Sequence, residues 1–525
     1  MNSKRIHITT MIISLVLVTV VAGIFAFEAL RGRTYGESPY IADNATPAPI
    51  PLYENIEIEE TAIAPEYTPE PAYTEYAPYL SKYYNGDAPI QTLPELTLGP
   101  IRWHVYPTWA FDQVFNFREG MAGVEYFERP GEWDSMHTLG YMNNLGEIVI
   151  PVEYDHYPAI YTYLGAPPFS EGRVAIFCRN HGGIGIFDTD GNLVVPFYYQ
   201  WGWAFSDGLM AVNRSGWDET TGRSWSEWGF IDRYGTVVIP LEFDYVTDFS
   251  EGLATVMRYG YWGFINTSGE VVIPFTIQQA FEDNFGLPLI PRFSDGLVAV
   301  STGERGTNEY GERVNTIRWG FMDREGNMAI PFQFTDVFDF SNGLATVGIE
   351  HEGRWGSRTI WGKIDVAGNV VLPFEYDWIW PYLGDAIFAR HEEGDYRVYD
   401  GNGNYIIPPG MYGSIESLSE GLAAIRTPGY WEDSSRGFID IHGNEVIPLI
   451  FDYAGHFSQG FARVRMGDWE TTPDGSRVDN SRWGFIDREG NIVAPIEFNE
   501  LRDFSEGLAW VRVGNYWGLL KIVES

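Results

Sequence analysis

From Phe111 to the C-terminus, short apolar runs alternate with turn formers, the pattern of strands rather than helices. One stretch shows the grammar in full: "WGFIDRYGTVVIPLEFDYVTDFSEGLATV", Trp228 to Val256. In "WGFID", Trp228 and Phe230 project to one face of a strand and Ile231 to the other, so both faces are apolar and both need covering. Asp232 to Gly235 follow; an Asp side chain can bond turn amides and Gly accepts positive φ, which predicts a type I hairpin turn with a bulge. The next strand, "TVVIP", stops at Pro240, which has no amide hydrogen to give to a ladder. A crossing segment, "EFDYVTDFSEG", then leads to the strand "LATV", and "RYGY" turns the chain into the next Trp-Gly. The predicted unit is a three-stranded meander.

The pattern returns at Trp319 ("WGFMDREGNMAIP") and Trp483 ("WGFIDREGNIVAP"), and weaker copies open at Gly140, Gly185, Tyr396 and Gly437. A unit offers about half a dozen large apolar side chains, at roughly 1.5–3 kcal/mol each when buried. Ordering its backbone costs about 1–2 kcal/mol for every residue, so a unit cannot stand alone and must share a core with its neighbours. The expected fold is all-β: a tandem array of about ten three-stranded meanders over residues 101–525. Propeller blades usually have four strands and number about four to eight, so an open solenoid or superhelix is favoured. The alternative is a closed propeller-like ring, suggested by a half-repeat at "FDQVFNFREGMAGV" (Phe111–Val124) whose missing piece, "YWGLLKIV", ends the chain.

The pattern "WGFID..G..VIP..FD...DFSEGLA.V" resembles the bacterial WG-repeat family, the Trp-Gly-containing β repeats, over nearly everything from Phe111 onward. The resemblance implies tandem short-strand repeats in an often exported bacterial protein, usually without an assigned activity. Tyr141, Ile184 and Arg436 depart from the pattern in or beside the Trp-Gly slot.

The N-terminus has another character. Residues 1–7 are read as a cytoplasmic tail carrying Lys4 and Arg5, and residues 8–27, "ITTMIISLVLVTVVAGIFAF", as an uncharged transmembrane signal-anchor of bilayer-spanning length. A cleaved signal peptide is the rival reading. Residues 28–100 form a Pro/Glu-rich stalk that buries little and is expected to be disordered and extended. The bulk of the chain is therefore expected outside the cytoplasm, extracellular or periplasmic. Lys+Arg 34 against Asp+Glu 72 leaves a net charge of −38, which repels phosphate backbones and argues against nucleic acid. Cys178 is the single cysteine, so an intramolecular disulfide and a thiolate metal cluster are both excluded.

Candidate chemistry is sparse. Glu119, Glu171, Asp207, Glu251, Asp295, Glu420 and Glu506 precede the same glycine in successive units, one turn position repeated rather than two acids facing one pocket. "DTDGN" (Asp188–Asn192) and "DGNGN" (Asp400–Asn404) lack the remaining ligands of a calcium loop, and the His residues show no metal-ligand spacing, so no catalytic residue, cofactor or metal is assigned. The units differ where "LATV" turns into the next Trp-Gly: insertions at 213–227, 301–318, 348–360, 426–435 and 465–482 carry Trp217, Trp225, Trp355, Trp431 and Trp469, which are the candidate ligand-binding residues. The expected function is a non-catalytic, membrane-anchored binding or scaffold protein, engaging a cell-envelope glycan or a surface protein along one edge. An envelope hydrolase using a carboxylate pair, and a passive spacer or sensor ectodomain, are the alternatives. From residues 8–27, the full-length chain should sediment with membranes and resist carbonate washing; a soluble mature chain beginning after Ala26 would show cleavage instead.

Overall fold

The computed structural model describes residues 93–523 with interruptions, the longest at 128–136, 157–165, 278–290, 381–386 and 428–433. The anchor assigned to residues 8–27 and nearly all of the stalk lie outside the described residues, and among those described no helix is long and apolar enough to cross a membrane.

The described elements are all strands, arranged in nine principal sheets of three to seven strands and two small hairpins. Residues 245–277 show the plan: strand A, Tyr245–Val246; strand B, Leu253–Arg258; strand C, Tyr261–Asn266; strand D, Val271–Ile277, paired in that order and antiparallel throughout. The unit therefore has four strands. Its A strand comes from the expected crossing segment, whose mixed, aspartate-containing sequence hides a pairing of only two residues. The seven-stranded sheet, residues 336–407, contains two consecutive units sharing the long strand Val370–Ile379.

The favoured open solenoid is contradicted: the array closes into a ring, a β-propeller. Strand Ile101–Trp109 pairs antiparallel with Tyr516–Ile522, supplying the D strand of a blade whose other three strands come from the end of the chain. Trp109, Trp510, Trp517 and Leu519 of that blade pack in one cluster with Phe111, Phe117 and Val124 of the first. Trp510 and Trp517 also donate their indole N–H groups to the carbonyls of Phe115 and Phe111. The half-repeat and its complement meet as the ring alternative requires.

One set of contacts is repeated from blade to blade. The C-strand phenylalanine of one unit packs on the A–B turn phenylalanine of the next: Phe230 on Phe249, Phe264 on Phe293, Phe321 on Phe340, Phe438 on Phe457 and Phe485 on Phe504, with ring centroids 4.7–5.1 Å apart. The turn serine donates to that phenylalanine's carbonyl in the following unit, as Ser206 does to Phe249, Ser250 to Phe293 and Ser458 to Phe504, at 2.7–2.8 Å. Ser505 completes the circle by donating to Phe117.

The Trp-Gly glycine serves its own sheet. A Cβ on Gly229 would lie 2.6 Å from the carbonyl oxygens of Ile239 and Pro240, because strand D crosses strand C through a bulge at this point. The Asp-x-x-Gly turn has the expected geometry: Gly235 N–H bonds the Asp232 carbonyl, Asp232 Oδ1 accepts from the amides of Tyr234 and Thr236, and Gly235 has φ +87°. The D strands carry Pro240, Pro274, Pro331, Pro373, Pro448 and Pro495, and the closing strand carries Pro107. Exposed Val237, Val238, Val271 and Val272 place these strands at the rim.

Closure makes a prediction that an open stack does not. A chain cut so that it lacks everything through Trp109 should expose the edge of Tyr516–Ile522, lose thermal stability and self-associate on sedimentation. An open array would lose only its terminal stability and stay monomeric.

Candidate binding face

The turns of a blade divide between two ends of its sheet. A–B and C–D turns lie at one end, B–C turns and D-to-A connections at the other, so the two faces of the ring carry different turns.

The first face is structural. Glu251 and Gly252, at φ +54° and +77°, form a two-residue turn closed by reciprocal Ser250 and Leu253 backbone bonds, and both positions require the left-handed region that Glu ordinarily avoids. Strain at the acidic position is offset by what its carboxylate does. Glu251 accepts from Gly296 N–H in the next blade at 3.0 Å, Asp295 from Gly343 at 2.7 Å, Glu119 from Gly172 at 2.7 Å and Glu420 from Gly460 at 2.9 Å. Glu506 closes the series on the amides of Glu119 and Gly120, at 2.6 and 2.7 Å. Sequence reading classed these acids as a repeated turn position, and the structure adds their partner, the same turn one blade on.

Other acids belong to structure as well. Asp188 and Asp400 each accept from two amides of their own turn, and the Asn404 side-chain amide, followed by the Asn404 backbone N–H, holds Asp400 below the usual carboxylate range. Asp248 and Asp339 are the acids that burial raises most clearly, each to about 6 and each opposed by Arg292. Arg292 Nη2 lies 3.5 Å from Asp248. Both are shifted the same way by the same cause, so nothing divides them into an acid and a base. Cys178, 2% exposed, has its sulfur 3.0 Å from His181 Nδ1, in a short B–C turn where the thiol is sealed from solvent.

The second face carries the insertions. Leu209–Asp218 and Arg223–Asp232 stay paired out to Asp218 and Arg223, and Leu344–Gly353 and Gly356–Asp365 out to Gly353 and Gly356. Small hairpins, Arg305–Thr307 with Arg313–Asn315 and Trp469–Thr471 with Arg477–Asp479, extend two further units at the same end. The insertions thus project from one side of the ring, around a circle rather than along a line.

The candidate tryptophans are only partly placed. Trp217 is 65% exposed near a hairpin tip. Trp225, half-buried, lies across Gly216, where a Cβ would come 2.8 Å from its ring, and the pairing puts Trp217 on the hairpin's other surface. Trp469 pairs with Asp479 through its backbone, and Trp355 and Trp431 lie outside the described residues. No shared stripe joins Trp217 to Trp225. Beside this hairpin are aromatics that the repeat pattern does not flag, because they flank the step from one D strand, Leu193–Tyr199, to the next A strand, Trp201–Ser206: Tyr198, exposed and covered by the Arg214 guanidinium at 4.6 Å, Trp201 stacked on Phe177, and Trp203 stacked on Trp228. Tyr259 and Tyr261 of the next blade are exposed at 83% and 42%. Another long turn, between Phe127 and His137, also escapes the sequence pattern, because Leu139-Gly140 stands there in place of Trp-Gly.

A ring of repeated four-stranded sheets with one variable face defines a repeat β-propeller of the interaction-scaffold kind. The chain belongs to the family described as WG containing repeat, which matches it at residues 140–180, 184–216, 228–262, 262–286, 319–353, 361–393, 396–431, 437–468 and 483–517. Among solved structures it is similar to BamB from Moraxella catarrhalis at 10% identity, over 60% of this chain and 88% of that one, with a TM-score of 0.26. It is also similar to an acylaminoacyl peptidase from Pyrococcus horikoshii at 11% identity, over 60% of this chain and 58% of that one, TM-score 0.29. A third is the β-propeller domain of the Trilobed protease from Pyrococcus furiosus, at 7% identity over 57% and 97% of the two chains, TM-score 0.25. A search of curated proteins returns no relative.

One core position is out of character. Lys363 occupies the C-strand phenylalanine slot and is 4% exposed, and burial pushes its ammonium down to about 8 from an ordinary 10.5. The unfolded chain holds that proton more tightly, so the penalty is complete below about pH 8 and fades as pH rises towards 10.5. Lys363→Phe should therefore raise the melting temperature at pH 7, with an advantage that shrinks by pH 10. Calorimetry across that range is the check.

Proposed function

We propose that this chain is a non-catalytic, membrane-anchored scaffold that binds an envelope glycan or surface protein through the hairpin face of its ring. The observation that carries the reading is the contrast between faces. On the A–B face most of the described turns are committed to the next blade, so variation there would break the ring. Insertions accumulate on the other face, where hairpins can lengthen without touching the blade contacts. The exposed side chains there suit an extended, uncharged or basic polymer: aromatic faces stack on sugar C–H groups and peptide side chains, and acids and arginines bond hydroxyls. Weak contacts from several hairpins add through effective concentration. A hydrolase reading would need two acids of opposed pKa facing one another, and Asp248 and Asp339 are raised alike.

The test is retention of the full-length protein by envelope fractions and purified glycans. Replacing Trp217, Trp225, Trp355, Trp431 and Trp469 with Ala should abolish retention while leaving circular dichroism unchanged, with single substitutions giving partial losses. A five-fold variant that binds like the parent would exclude these residues as the contact and favour a spacer.

A further inference from the structure

In a chain of net charge −38, the seam between the last two blades is rich in arginine. Arg463 lies over both Tyr453 and Trp483, at 5.7 and 5.4 Å from the ring centroids, and Arg465 over Trp483 at 5.7 Å. Arg463 also donates to the Leu501 carbonyl of the next blade, where Arg502 and Arg512 lie over Trp517 at 6.0 and 5.7 Å. Arg482 adds its charge beside Asp479. Among the described residues these five arginines outnumber the carboxylates they face, Asp479, Glu500 and Asp503. The Nε groups of Arg465, Arg502 and Arg512 are shielded from solvent and make no hydrogen bond among the described residues, although the guanidinium ends remain about one-third exposed. What a ligand can meet is the exposed guanidinium ends, and gathered in one place they suit an acceptor-rich one.

The described chain starts beside this surface. Leu96 packs in the same cluster as Trp103 and Trp483, with Val513 alongside, and Pro94 accepts from the Trp103 indole. The residues immediately before it include 54–76, "ENIEIEETAIAPEYTPEPAYTEY", which contain seven glutamates and neither lysine nor arginine. We propose that this acidic segment docks in cis on the arginine sector, its carboxylates meeting the guanidinium edges and its Tyr and Pro side chains lying against the exposed aromatic margins. The tether is short enough to favour it. Sixteen residues lie between Tyr76 and Leu93, a reach of about 55 Å when extended and much less on average, so the local concentration of the segment is on the order of millimolar. Docking would hold the ring close to its anchor and cover the neighbouring hairpin Trp469–Asp479; an anionic competitor or high salt would release both.

The test uses the full-length protein in detergent, with a nitroxide on Thr68→Cys; Cys178, 2% exposed, stays unlabelled. At low salt the label should be immobilised. It should become roughly tenfold faster in about 1 M NaCl, where charges are screened beyond ~3 Å. The same release is expected in R465E/R502E/R512E, checked for folding by circular dichroism, and in E59K/E60K/E66K, which leaves the ring untouched. A label already mobile at low salt overturns the proposal, as does one immobilised regardless of both charge reversals. Immobilisation that disappears on dilution with unlabelled protein would assign the sector to contacts between copies, which overturns docking in cis.

Discussion

The ring depends on a single arrangement, the A–B turn of one blade reaching for the A–B turn of the next. A serine hydroxyl, an acidic side chain and a phenylalanine ring all cross the same seam, as at Ser250, Glu251 and Phe264 against Phe293 and Gly296. Each hydrogen bond is modest on its own, about 1 kcal/mol net. Together they fix the angle between blades, because three contacts of different kinds must be met at once. Closure then needs no special device, since Ser505 and Glu506 do to Phe117, Glu119 and Gly120 what the turns at Ser250–Glu251 and Ser294–Asp295 do to their neighbours.

Much of this is legible in the sequence, for a physical reason. Strands covered on both faces must be apolar on both, and the hairpin turn needs Asp and Gly, so "WGFID" and "DRYG" declare themselves. The A strand does not. Tyr245–Val246 is two residues of pairing inside a segment whose aspartate and threonine neighbours read as a crossing loop, and without it the unit counts as three strands and an open stack. Closure is hidden likewise, because pairing between Ile101 and Ile522 is a long-range event that no local period records.

The candidate site is legible only as a location. Insertions in equivalent turns must emerge on one side of any regular array, and they do so here, around a circle. Which side chains cooperate is set by hairpin pairing: Trp217 and Trp225, close in sequence, fall on opposite surfaces because they are diagonal partners. Tyr198, Trp201 and Trp203 contribute from the end of one D strand and the start of the next A strand, whose aromatic content looks, in sequence, like more core.

The strand that completes the last blade is the first strand of the ring to be made. During synthesis Ile101–Trp109 must wait for Tyr516–Ile522, with its pairing edge open while the intervening blades assemble. Long-range closures of this kind form late and leave intermediates exposed to association. Pro107 interrupts that waiting edge, as Pro240 and its equivalents interrupt the finished rim, so the residue that punctuates each repeat also acts as a gatekeeper during assembly.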